Sequence, residues 1–276
     1  MRKYLESEDW LKIGHNIAYD YKVLRGMGIV MENVWDTMIA DQVRYCGLTK
    51  PKGFYTLEET YERYFRINWY GNQLSLFKAY IPKATRNEIS KKGEEPFSWG
   101  EISYGATDIE TAFSIYCRQR IVLEEEDLLD TANFENQYVP VIGDMEFEGF
   151  PLNVQKWKEL AEWSRGEMEK YLGQLKTAHP EVENWNSHIQ IKKLFSSIGI
   201  KVTDRTGKLS VNEKVIKPQV KEFPIIEVYL KYQKFKKLAT TYGEAFLKHV
   251  NSYTGRVHSS FMQIMTTGRL SSNSPK

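Results

Sequence analysis

The hydrophobic pattern changes character near residue 127. Before it, the chain reads as mixed α/β. Trp10–Gly14 is a short apolar run closed by glycine, and Asn16 starts a helix through Val23 and Leu24. Thr56 and Glu59 have the Thr-x-x-Glu spacing of a capping box. Residues 66–103, rich in Gly, Pro and charge, read as irregular structure. From Ala106 the spacing of Ile109, Phe113 and Tyr116 predicts an amphipathic helix running towards Leu123.

After the acidic stretch Glu124–Asp127 the pattern is largely helical. Trp157, Leu160, Ala161, Met168, Tyr171, Leu172 and Leu175 recur at helical spacing over 154–176. Asn186 and Ser187 open another helix that Gly199 ends. Ser210 and Glu213 form a second capping-box pattern, and residues 225–250 read as one long helix rich in lysine and aromatics. The tail changes again: Gly255–Met265 is β-branched and aromatic, and Thr266, Thr267 and Gly268 signal a turn.

Composition narrows the classes. The 276 residues are 41% hydrophobic and 27% charged, as in globular proteins, with no apolar run long enough to span a bilayer and no apolar leader segment. Cys46 and Cys117 have no metal-ligand spacing and read as reduced thiols of a cytoplasmic protein. The net charge of +2 hides an imbalance. Residues 186–276 hold 16 Lys and Arg against 5 Asp and Glu, and the rest of the chain holds 22 against 31. A basic half points to a polyanionic partner, with a plain basic surface as the alternative.

Candidate chemistry lies in two short stretches, Gly14–Asp20 (GHNIAYD) and Tyr104–Asp108 (YGATD). Tyr104 and Asp108, four residues apart, project from one helical face. Two-metal hydrolysis of a phosphodiester needs several carboxylates as hard ligands and a group to orient water. Asp20 and Asp108 can supply two carboxylates and Tyr104 the hydroxyl. Taken singly, a helical Asp is more often a solvated surface residue, and Tyr104 is equally well a buried aromatic.

The order of the motifs adds to this. Lys12–Leu24 (KIGHNIAYDYKVL) resembles the second exonuclease motif of the DNA polymerase I family, family A. Trp35–Met38 (WDTM) and the Thr56–Phe65 helix resemble its F-D-T-M and S-L-E-E-L segments, and Tyr104–Asp108 its third motif, Y-x-x-x-D. The resemblance implies a 3′→5′ proofreading exonuclease-type domain with Asp20 and Asp108 as ligands of Mg²⁺ or Mn²⁺. It also implies Tyr104 as the water-orienting residue, with Asn16 and Tyr19 on the 3′-terminal nucleotides. The family's first motif, D-x-E, lies on a strand well upstream. Only thirteen residues precede Gly14, and Glu6, Glu8 and Asp9 lie too close to Asp20 in sequence to replace it.

The second half continues the resemblance. Phe134–Asn153 is similar to the family's junction into the thumb, Lys237–Tyr242 (KLATTY) to K-L-x-(S/T)-T-Y, and Thr254–His258 (TGRVH) and Thr267–Ser272 (TGRLSS) to the signatures at the entrance to the palm. By this likeness Lys237, Thr240 and Thr241 lie near the primer–template backbone and Arg269 contacts the minor groove. Lys231, Lys234, Lys236 and Lys237, interleaved with Tyr232, Phe235 and Tyr242, fit a helix that packs one face and extends ammonium groups towards phosphates, or one with a merely solvated basic face. His258 either binds DNA or caps a hairpin.

The implied fold is α/β then mainly α: an incomplete RNase H-like exonuclease domain over 1–127, a helical thumb over 128–250, and the start of the palm over 251–276 with a terminal β-hairpin. The family's palm aspartates lie beyond the last signature. The expectation is therefore a split or truncated polymerase, in a bacterial or phage-infected cell, that binds primer–template and single-stranded 3′ ends. Separate chains would supply the palm and fingers and an N-terminal exonuclease piece.

Overall fold

The computed structural model describes residues 1–65 and 96–275, which form two compact units: unit 1 is Met1–Gly149 with His258–Lys276, and unit 2 is Phe150–Val257. Packing divides the chain at 149/150 and 257/258.

Unit 1 begins with the short helix α1 (Arg2–Leu5), strand β1 (Lys12–Gly14), helix α2 (Ala18–Gly26) and strand β2 (Val34–Asp36). The two strands pair in parallel, Ile13 opposite Trp35, with α2 as the crossover that parallel pairing requires. All three residues of β2 are buried. Next come α3 (Thr37–Arg44) and α4 (Leu57–Phe65), then the long α5 (Trp99–Glu125) and α6 (Leu129–Glu148). Ile17, Tyr21, Met31, Val34, Ile39 and Val139 form one apolar cluster. Trp35, Ala40, Val43, Leu123 and Ala132 form another.

The helix expected from Ala106 starts seven residues earlier, at Trp99. Ser98 and Glu101 make a reciprocal capping box there, satisfying amides that would otherwise lack partners. Residues 99–103 are thus helical, 96–98 are irregular as expected, and 66–95 lies outside the described residues. At α4 the expected cap is present in one direction, with Glu59 N donating to Thr56 Oγ1 at 3.4 Å.

Unit 1 closes with strands β5 (Ser260–Met262) and β6 (Ser271–Asn273), an antiparallel pair with Phe261 opposite Ser272. The turn signal holds: Gly268 has φ +69, and its N–H donates to Met265 O at 2.8 Å. His258 Nδ1 donates to Glu146 O at 3.0 Å.

Unit 2 is helical. Its helices are α7 (Val154–Ala178), capped by Asn153, α8 (His188–Ser197), capped by Ser187 and followed by Gly199 at φ +92, the short α9 (Glu213–Ile216), and α10 (Ile225–Thr240). Trp185, Ile191, Phe195, Ile226 and Tyr229 fill the core, and Tyr171 stacks on Phe235 at 5.7 Å. Strands β3 (Phe150–Pro151) and β4 (Arg256–Val257) pair antiparallel.

Two expectations here need correction. Ser210 is not the cap of α9: it bonds Asn212 N at 3.2 Å, and Asn212 holds the N-cap position. Nor is 225–250 one helix. It ends at Thr240, and a 3₁₀ turn follows over Glu244–His249. The turn that follows needs glycine at 243, where a Cβ would stand 2.8 Å from the Ala239 carbonyl carbon and nearer still to its oxygen. Trp157 Nε1 fixes the break by donating to Gly243 O at 3.2 Å.

Candidate active site and nucleic-acid surface

The site grows from the β1–α2 turn. Asn16 adopts φ +60, a conformation Asn tolerates better than most residues. The buried Asp36 carboxylate holds this turn, accepting from Asn16 N and Ile17 N at 2.8 Å each, and from Met38 N at 2.8 Å as the cap of α3. One aspartate thus orients the starts of both α2 and α3. His15 adds a second tie, its Nε2 donating to Tyr55 O and its Nδ1 meeting Thr37 Oγ1, both at 2.9 Å.

With the turn fixed, the first turn of α2 carries Asp20 into a cleft of about 800 Å³, which Asp108 of α5 also lines. Two carboxylates far apart in sequence thereby face one cavity. Asp20 is exposed at the cleft, yet the protein mass around it raises its carboxyl above the usual range, opposed by a backbone hydrogen bond. Lys12 lines the same cleft. Desolvation lowers its pKa against the opposing charge of Glu32, and it donates to Ser7 O at 2.7 Å. Asn16 also lines the cleft, whereas the exposed Tyr19 lines a neighbouring cavity. Tyr104 lies on α5 one turn before Asp108, and its side chain is outside what the structure describes.

Can these residues hold the implied metals? Asp20 and Asp108 are hard oxygen ligands, but among the described residues no three His, Cys, Asp or Glu side chains come together to hold an ion. A two-ion centre needs more carboxylates than this pair. The described residues alone do not fit it.

The expected DNA contacts fall on both units. On α10, Ile226, Tyr229, Tyr232 and Phe235 are buried, which leaves Lys234, Lys237 and Thr240 exposed beside Thr241. Lys237 lies 5.8 Å from the Tyr242 ring, and the Thr240 hydroxyl donates back to Lys236 O at 2.9 Å. Arg269 is exposed in unit 1, at the turn between β5 and β6.

Sequence reasoning missed Asp36 and Glu146. Glu146, nearly buried on α6, bonds Lys22 Nζ and Phe261 N at 2.5 Å each and so ties α2 to β5. The W-D-T pattern before a helix was a legible cap signal for Asp36. Glu146 falls in the stretch Phe134–Asn153 read as the junction into the thumb, which gave it no role of its own.

The chain thus carries a carboxylate pair in a cleft of unit 1 and a basic, aromatic helix in unit 2. Residues 1–124 match the 3′-5′ exonuclease family model, and residues 154–276 match that of DNA polymerase family A. Together the two models cover most of the chain and support a partial family A DNA polymerase. Curated relatives include DNA polymerase I of Treponema pallidum (strain Nichols), 27% identical across 100% of this chain and 27% of the relative. That of Chloroflexus aurantiacus is 28% identical across 96% of this chain and 28% of the relative. The thermostable enzyme of Thermus filiformis is 34% identical over 49% of this chain and 17% of its own length. The chain thus spans about a quarter of the length of the first two. The POL domain of Pol1 from M. smegmatis, solved with DNA primer-template and dNTP, shares the fold across all of this chain and 44% of its own, with TM-score 0.73 and 18% identity.

Proposed function

We propose that the chain acts in DNA replication or repair as part of a family A polymerase, joining a 3′→5′ exonuclease-type site to a primer–template-binding region. The observation that carries this reading is the meeting of Asp20 and Asp108 on one cleft. Divalent cations would supply the charge neutralisation and the activated water that phosphodiester hydrolysis needs. This chain contributes the two carboxylates, with Tyr104 as the water-orienting residue and Asn16 and Tyr19 as contacts to the strand end. The fold around them is read as RNase H-like, and the remaining carboxylates would come from outside the described residues. Lys234, Lys237, Thr240, Thr241 and Arg269 are assigned to duplex phosphates and the minor groove, contacts that set register without reading sequence.

The test is loss of label from a 3′-labelled single-stranded oligonucleotide with Mg²⁺ or Mn²⁺. The wild type is compared with Asp20→Ala and Asp108→Ala, alone and with a polypeptide carrying the D-x-E strand. Cleavage that needs the added strand and vanishes in both variants supports the reading. Cleavage indifferent to either aspartate removes it. A second reading, a non-catalytic DNA-binding module, is favoured by the imbalance of 16 basic to 5 acidic residues over 186–276. It expects no cleavage under any condition, with salt-sensitive duplex binding weakened by Lys237→Ala and Arg269→Ala.

A further inference from the structure

Unit 2 has a groove of about 650 Å³ between α10 and the 3₁₀ turn Lys217–Gln219 that follows α9. Its floor is apolar. Val220 and Leu230 pack on the unit 2 core from one side and line the groove from the other, and Pro218 extends the same wall. Its rim is basic, with Lys217, Lys221, Lys231 and Lys234. Two glutamates also line it, and both are engaged: Glu213 pairs with Lys217 at 2.6 Å and Glu227 with Lys231 at 2.7 Å. Lys221 and Lys234 are exposed, and neither forms an ion pair with another described residue.

The lining specifies an occupant with two properties at once. A phosphate backbone would answer the lysines but set polar atoms against Pro218, Val220 and Leu230. A purely apolar segment would fill the floor and leave the ammonium groups of the rim unmatched. Carboxylates spaced between apolar side chains meet both demands, because the apolar groups leave water on the floor while the acids stay at the wet rim. The two existing ion pairs are solvent-exposed and weakly held, so Lys217 and Lys231 can turn to an incoming carboxylate at little cost. The lysine stems add apolar surface to the walls.

We propose that this groove docks a short acidic segment of a partner protein, with leucine- or phenylalanine-type side chains on Val220 and Leu230 and carboxylates on Lys221 and Lys234. Such a contact would hold the chain to a partner by its helical unit and does not depend on the exonuclease-type reading of the cleft.

Fluorescence anisotropy of the full chain with a set of labelled twelve-residue peptides, in which Asp and Glu alternate in different registers with Leu and Phe, tests it. The acidic peptides should bind saturably, and counterparts with Asn and Gln in place of the acids should bind about tenfold more weakly. Lys221→Glu should cost about tenfold and Val220→Asn about fivefold, with Lys221→Ala between wild type and Lys221→Glu. Thermal melts confirm that the variants fold, and Lys221 is exposed, so its reversal leaves the core untouched. Carbodiimide coupling, which joins a carboxylate directly to a lysine amine, should link bound peptide to Lys221 and Lys234, as read by mass spectrometry. Failure of every acidic peptide to bind, or binding indifferent to both Lys221→Glu and Val220→Asn, overturns the proposal. So does an equal loss of binding to a blunt DNA duplex in Lys221→Glu, which would make the groove part of the nucleic-acid surface.

Discussion

Asp36 joins three amides that start two helices, and its own N–H donates to Asn136 Oδ1 at 2.5 Å. At 1% exposure the desolvation of its carboxylate outweighs those amides and lifts its pKa to about 6 from 3.8. The folded protein therefore holds this proton more tightly than the unfolded chain does. The resulting stability is complete below about pH 3.8 and is lost as pH rises through about 6, a difference of roughly 3 kcal/mol. Carboxyl NMR should show Asp36 titrating near 6. Chemical denaturation from pH 4 to 7 should show the wild type losing stability relative to Asp36→Asn, and a flat difference would contradict the shift. A second buried acid, Asp41, is handled differently. Its carboxylate pairs with Arg63 and accepts from Tyr64 OH at 2.9 Å, which pins α4 to α3.

At the scale of elements, α2 and α6 approach closely because Gly143 has no side chain. A Cβ at 143 would stand 2.9 Å from Tyr21 Cε1 and nearer still to Cδ1, and Tyr21 is 1% exposed. Gly143→Ala should gain about 1 kcal/mol of helix propensity and lose about 1–3 kcal/mol to overpacking. Net destabilisation in urea is the expected result, and a stabilised variant would refute the close contact. Gly143 sits in a helical run and gives no local sign of this role, which shows where sequence reading stops. Helix α7 was legible from its periodic apolar face, and α8 also from the Asn186 and Ser187 that open it. The start of α5 was legible too, in Ser98 and Glu101, but the neighbouring Gly and Pro masked it. The turn after Thr240 leaves no room for a Cβ at residue 243, which periodicity does not encode. Asp20 and Asp108 were each readable as candidates. Their meeting in one cleft is a tertiary fact, supplied beforehand only by family likeness.

Across the whole molecule, the residues of the DNA polymerase family A match, 154–276, are divided between the two packing units. Unit 2 has a closed core in which Phe195, Ile216 and Ile226 are fully buried. Residues 150–257 expressed alone should give a helical circular dichroism spectrum and a cooperative melt. Residues 1–149 alone lose the Phe261 and Gln263 bonds to Glu146 and Glu135, and Ile264 from both apolar clusters. They should melt at lower temperature, and adding a peptide of residues 258–275 should raise the midpoint. A melt unaffected by that peptide would show that the tail is dispensable.

The two-residue ladder of Phe150 with Val257 and Pro151 with Arg256 has a consequence for biosynthesis. The ribosome delivers all of unit 2 before residues 258–275, so unit 2 can collapse while unit 1 still waits for its last strands. Zipping the ends of unit 2 together shortens the loop that unit 1 must close from over a hundred residues to a few, which lowers the entropic barrier to its completion. Late codons thereby decide when the early half of the chain becomes native.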